Sequence, residues 1–179
     1  MSQIIEFPTP EEYAPFYNGY IQRTKGGNIL EKLTRQIVEI QDALGKLSDQ
    51  QALFRPAPEE WSIKEVLGHI GDSERIFFYR ALCISRSETQ SLPGFDQEQY
   101  VHGTSFDAFS LDELIKEFTL LRQANLISLK RLSIEASLRR GLTNGNTTST
   151  RALVHIMAGH VYHHLESIHN VYLRALKDI

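Results

Sequence analysis

Apolar side chains recur at three- and four-residue spacing in four separate stretches of the chain, a period that marks amphipathic helices. In the first, Ile29, Leu33, Ile37, Ile40 and Leu44 predict a helix from about Asn28 to Lys46 with one buried face. In the second, Ile63, Val66, Leu67, Ile70, Phe77 and Ala81 point inward along a helix reaching about Ser85. Ser62-Ile63-Lys64-Glu65 is a capping box that starts it, the serine and glutamate side chains satisfying free amides of the first turn. Trp61, just before the cap, is placed to pack on Val66 as a hydrophobic staple. Ser110-Leu111-Asp112-Glu113 is a further capping box, opening a helix to about Leu132 with Leu114, Phe118, Leu121, Asn125 and Leu129 inward. The fourth helix, capped by Thr148 or Ser149, runs to about Leu176 behind a stripe of Leu153, Ile156, Met157, Ile168 and Val171.

Between these stretches the pattern breaks. Residues 1–27 read as an N-terminal arm, with Pro8, Pro10, Pro15 and a Gly26-Gly27 break, and with a short helix around Glu11 to Asn18. Residues 28–179 then form a single domain. Ser48-Asp49-Gln50-Gln51 looks like the cap and first turn of a short helix ended by Pro56 and Pro58, and Ser133 to Leu138 adds another turn. Residues 86–110 make a connection of about 25 residues, long enough to be functional or packed rather than idle. Tyr100 and His102 are its residues of interest. Gly141 to Thr150 reads as a loop, and no strand alternation competes with the helical reading. Four long amphipathic segments in one domain make an all-α four-helix bundle the expected architecture. The long connection means that the second and third helices need not be antiparallel neighbours.

The chemistry concentrates on the last helix, where four of the seven histidines lie between His155 and His164. His160 and His164 are four residues apart, roughly 40° from each other on the helix, and fall on its apolar stripe. Two inward imidazoles at that spacing can converge on one metal ion. They can equally be core histidines whose nitrogens are satisfied by the protein. His163 sits at the edge of the stripe, whereas His155 and His169 point well away and should face solvent or a different neighbour. His69, at the border of the inward face of the second helix, is placed to meet the pair across a bundle and complete three ligands. Asp72 and Glu74, a turn or so beyond it, are candidates to orient a ligand imidazole. The competing expectation pairs Glu74 with an arginine and leaves Asp72 in water.

Composition narrows the function classes. The chain has 179 residues, 41% apolar and 23% charged, as expected of one soluble globular domain. A net charge of −3 provides no electrostatic footprint for nucleic acid or an anionic membrane. Cys83 is the single cysteine, which excludes an intrachain disulfide and a cysteine-rich zinc site. It lies about four turns beyond His69 and is not expected as a further ligand. The N-terminus has neither the basic nor the apolar segment of a signal peptide, and no stretch has the length of apolar residues needed to span a bilayer. A cytoplasmic location follows as the expectation.

Three segments together resemble the DinB-like (YfiT-like) metalloenzyme family. They are Trp61-Ser62-Ile63 with Val66-Leu67-Gly68-His69-Ile70-Gly71-Asp72-Ser73-Glu74-Arg75, then Leu92-Pro93-Gly94-Phe95-Asp96, then Ala158-Gly159-His160-Val161-Tyr162-His163-His164. The resemblance implies a four-helix bundle with a long crossover connection between helices two and three. It also implies a divalent metal held by His69, His160 and His164. Imidazole ligands suit zinc, nickel, iron and copper alike, with zinc or nickel expected here. Family members of this kind include hydrolases and thiol-dependent S-transferases, so the expected activity is one of these on a small molecule, with a low-molecular-weight thiol as a possible co-substrate. His163, Glu74 and Tyr100 are the candidates for a general base. The rival readings are a bundle that binds metal or ligand without turnover, and a plain structural bundle. A homodimer is the expected assembly.

Overall fold

The computed structural model describes residues 5–177; residues 1–4 of the expected arm and 178–179 at the end of the expected bundle domain lie outside the described residues. In chain order the helices are α1 (Asn18–Gln22), α2 (Ile29–Leu44), α3 (Asp49–Ala52), α4 (Ile63–Ser85) and α5 (Gln97–His102). There follow α6 (Leu111–Leu129), α7 (Ile134–Leu138), α8 (Thr150–Ser167) and α9 (Leu173–Ala175), with a π-helical turn, Ile168–Tyr172, joining the last two. The long helices α2, α4, α6 and α8 are the four that the apolar periodicity marks. Their starts are set by side chains: Asn28 caps α2, and Ser62 and Ser110 exchange hydrogen bonds with Glu65 and Glu113 in the expected capping boxes. Ser149 caps α8 by accepting the Ala152 amide, while Thr148 is turned to the hydroxyl of Thr143. Among the described residues no helix is long and apolar enough to cross a membrane.

Around the bundle the order is α2, α6, α4, α8. Lys64 reaches the Phe109 carbonyl at the start of α6 and Glu74 meets Arg122 midway, so α4 and α6 run parallel. His69 faces His160 while Tyr172 bonds the Trp61 carbonyl, so α8 runs against α4. Two parallel neighbours joined in sequence require a chain that returns the full length of the bundle. The segment 86–110 is that crossover, and it is not featureless. It carries α5 and a 3-10 turn, Phe106–Ala108, whose Phe106 ring packs where Gly68 leaves room; a Cβ there would stand 2.3 Å from the ring.

The stretch expected as a loop from Gly141 to Thr150 is instead a β-hairpin, β1 (Arg140–Thr143) with β2 (Asn146–Ser149), Arg140 opposite Ser149. Asn144 and Gly145 turn it with φ of 50° and 74°, the pair of positive values that a tight two-residue turn needs. Its strands are too short for alternation to register, though Asn-Gly itself is a hairpin signal. Leu92 of the crossover pairs with this hairpin through the Leu142 carbonyl and the Asn144 amide. The short helix expected at Glu11 to Asn18 is likewise divided. Pro15 forces Ala14 into an extended conformation, leaving 3-10 turns Pro10–Glu12 and Pro15–Tyr17 ahead of α1.

The N-terminal segment packs against α8. Ile5, Tyr13 and Ile21 are buried in one cluster with Leu153 and Ile156. Gly159 permits the approach, since a Cβ there would lie 2.0 Å from the Tyr20 carbonyl oxygen. Burial opposes ionisation of Glu12, but hydrogen bonds from Arg151 and Ser149 outweigh it and hold its pKa at about 2. Thr24 donates to the Ile21 carbonyl, so its hydroxyl oxygen receives Nδ1–H of the buried His155 at 2.7 Å.

The interior is apolar at both ends and polar between. One cluster holds Leu33, Phe77, Ala81, Leu126 and Leu153; the other holds Ile40, Leu67, Ile70, Phe118 and Val161. Separating them on the four helices are Gln36, Glu74, Arg122, Asn125 and His160, all buried. Arg122 donates to both oxygens of Glu74 at 2.8 Å, and Asn125 donates to the same carboxylate.

Two outcomes follow from this interior. Glu74→Gln removes the countercharge of a wholly buried guanidinium and is expected to cost about 3–5 kcal/mol in urea unfolding; a loss no larger than a surface substitution would contradict the assignment. Burial depresses the pKa of His155 from 6.5 to about 4, so the unfolded chain takes up a proton that the folded protein refuses. Stability from this group is complete above pH 6.5 and is lost as the pH falls towards 4, on the order of 3 kcal/mol in all. Urea titrations of the metal-free protein across that window should show a shallower slope for His155→Gln; equal slopes would rule His155 out as the cause.

Candidate metal centre

The site forms where α4 and α8 cross. On α8 the four-residue spacing stacks His160 and His164 one turn apart, and Gly159 lets α1 close over the same turn. On α4 His69 follows the glycine that admits Phe106, so its helix face is held against the crossover as well as against α8. The Nε2 atom of His160 lies 3.0 Å from that of His69 and 3.1 Å from that of His164. One ring nitrogen from each of the three lies within 4.8 Å of the others.

The two contacts cannot both be hydrogen bonds, because the Nε2 of a neutral imidazole carries either one N–H or one lone pair and the His160 Nε2 faces both neighbours. The natural partner of the three nitrogens is a cation. Nitrogens bound at about 2.1 Å around one tetrahedral ion lie roughly 3.4 Å apart, close to the spacing seen here. Electrostatics favours the same state. Burial pushes the pKa of His69 down to about 4. Burial, and then the neighbouring imidazoles, push His160 and His164 well below 6.5. At neutral pH all three are uncharged and their lone pairs are free to ligate.

Aromatic rings wall the triad. Trp61 stands 4.8 Å from His69 between ring centroids, so the residue expected to staple Val66 also covers a site histidine. Tyr20 and Phe77 each lie 5.5 Å from the His160 ring at steep angles. A cleft of about 380 Å³ opens beside them, lined by His69, His160, Tyr20, Ser73, Phe77 and Phe95, with Asn144 of the hairpin turn at its edge. Three segments outside the four helices therefore shape it: the N-terminal arm, the crossover and the hairpin.

The other residues that the sequence singles out are placed elsewhere. Glu74 has both carboxylate oxygens taken by Arg122 and Asn125, the ion-pair alternative. Asp72 is half-buried beside Arg75 at 3.6 Å, and burial raises its pKa. Among the described residues neither carboxylate hydrogen-bonds a triad imidazole, which corrects the expectation that one of them orients a ligand. Tyr100 is exposed on α5 and packs on Phe95, 5.5 Å between centroids, anchoring the crossover; His102 is exposed near Glu98. His163 is half-buried, 5.1 Å from the His164 ring and 5.3 Å from Tyr20, with its pKa lowered by burial. His155 faces Thr24, and His169 is exposed against the Leu165 carbonyl.

Sequence reasoning missed Tyr20, Ser73 and Arg122. Arg122 carried a signal, a charge standing among the inward positions Phe118, Asn125 and Leu129 of α6. Tyr20 carried none, because its place depends on the arm folding back.

In structure the chain is similar to YfiT from Bacillus subtilis, with a TM-score of 0.73 over 92% of this chain and 94% of that one, at 14% identity. That protein is described as "a probable metal-dependent hydrolase with an unusual four-helix bundle topology". At this identity the likeness is one of fold. No curated protein sequence matches the chain. The family profile of the DinB superfamily matches residues 32–168, a span that takes in most of α2, all of α4, α6 and α8, and all three clustered histidines. The chain belongs to the DinB superfamily.

Proposed function

We propose that His69, His160 and His164 hold one divalent metal ion, zinc or nickel, and that the protein is a metal-dependent hydrolase of small molecules. The observation that carries this reading is the convergence of three neutral imidazole nitrogens, those of the buried His69 and His160 and the half-buried His164, beside an open cleft that His69 and His160 line. The description of YfiT as a metal-dependent hydrolase supports it. An ion bound by three uncharged imidazoles keeps its full charge and an open position, where it can polarise a carbonyl or lower the pKa of water to about 7.

The protein's own part is to position and to exclude water. Tyr20, Trp61 and Phe77 shield the ligand nitrogens on their apolar faces and leave the cleft side open. His163, uncharged at neutral pH and packed on the His164 and Tyr20 rings, is the nearest imidazole outside the triad and our candidate to accept a proton. One feature also supports thiol transfer: the cleft is lined without any Asp or Glu to take a proton from water, and a thiol held as thiolate needs no such base.

Metal content of tag-free protein, measured by plasma mass spectrometry, tests the reading. About one ion per chain is expected, lost in His69→Ala and in the His160→Ala/His164→Ala double variant with helical content retained. A folded native protein that holds no metal and takes up neither zinc nor nickel would sink it.

A further inference from the structure

The cleft beside the triad contains a single permanent charge. Arg80 lies about three turns beyond His69 on nearly the same face of α4 and lines the same cleft. It is buried, and its Nη2 donates to the Pro93 carbonyl at 2.6 Å. The guanidinium carbon lies 6.0 Å from the centre of the Phe77 ring and 5.8 Å from that of Phe95. The other two buried arginines, Arg122 and Arg151, each face a buried glutamate. Arg80 has no carboxylate at ion-pairing distance among the described residues, and the cleft lining includes no Asp, Glu or Lys. A buried guanidinium without a countercharge is costly, and a guanidinium has five N–H donors. Ser73 stands between His69 and Arg80 on the same face, and its buried hydroxyl has no hydrogen-bond partner among the described residues.

We infer that Arg80 anchors the carboxylate of a small monoanionic ligand, whose apolar body lies on Phe77 and Phe95 and whose far end reaches the histidine triad. One planar guanidinium matches the two oxygens of a carboxylate and balances its single charge. A lone cation offers less to a phosphate dianion. Phe77 spans the gap, since its ring touches the surroundings of Arg80 on one side and of His160, 5.5 Å away, on the other. Which end of the ligand reacts rests on the metal reading of the triad. The anion site itself does not.

The test is calorimetric titration of the full chain, chelator-treated and metal-free, with 4-phenylbutyrate, with its neutral amide 4-phenylbutyramide, and with phenyl phosphate. The acid is expected to bind roughly tenfold to a hundredfold more tightly than the amide, as one charge-assisted hydrogen-bonded pair provides. Arg80→Gln should erase that preference, and Arg80→Lys, which keeps the charge, should retain part of it while circular dichroism shows both folded. The wild-type comparison of acid with amide reads the charge requirement without any variant. The titration uses metal-free protein, so a chain that takes up no metal can still prefer the acid to the amide, and a failed metal site and a failed anion site give different results. No binding of the acid, equal binding of acid and amide, a preference that survives Arg80→Gln, or tighter binding of phenyl phosphate would each overturn the proposal.

Discussion

A guanidinium with no exposure to water sits at mid-height in the bundle, and the surrounding interior is arranged to satisfy it. Arg122 on α6 gives hydrogen bonds to Glu74 on α4 and to the Leu33 carbonyl and Gln36 on α2, and Gln36 passes one on to the Ala158 carbonyl on α8. All four long helices are thus tied at one level. Moving such a charge out of water costs several kcal/mol unless every donor finds a partner. A one-turn slip of any helix would set Glu74 or Arg122 against an apolar cluster. The layer therefore fixes the vertical register, and apolar packing above and below it does the rest.

That register places His160 in the same layer and level with His69 on the facing helix. The consequences are chemical. Burial disfavours the imidazolium form at each of the three histidines, so they meet as neutral groups with lone pairs directed inward. Solvent-exposed histidines at the same spacing would be partly protonated near neutrality and would repel one another. The aromatic rings of Tyr20, Trp61 and Phe77 supply the low-dielectric wall that makes the burial possible, and they come from three different parts of the chain.

The candidate site was legible in outline for a definite reason. His160 and His164 share a helix face by covalent spacing alone, and that face is apolar, so their inward direction follows from the sequence. His69 was readable as bordering an apolar face, but its meeting with His160 required knowing that α8 runs antiparallel beside α4. Glu74 and Asp72 show the limit of local reasoning. Both lie within a turn or so of His69, yet Glu74 turns to Arg122 and Asp72 to Arg75, because helical phase, not sequence proximity, decides what a side chain reaches. The hairpin at Arg140–Ser149 shows a different limit: with four-residue strands, pairing energy comes from the partner strand and from Leu92, neither of which a local period reveals.

By itself the sequence determined the four helices, their capped starts and most of the inward faces, since these depend on residues within a few turns of each other; Val171, expected inward, is exposed because the π-helical turn Ile168–Tyr172 shifts the helical phase. It also determined that two histidines would share one inward face. Only the tertiary structure decided the parallel pairing of α4 with α6, the level at which His69 and His160 meet, and the walls of the cleft. Those features depend on contacts such as Arg122 with Glu74, Tyr20 against Gly159 and Phe106 against Gly68, between residues far apart in the chain. No local periodicity encodes them, because their energy exists only once the chain has closed on itself.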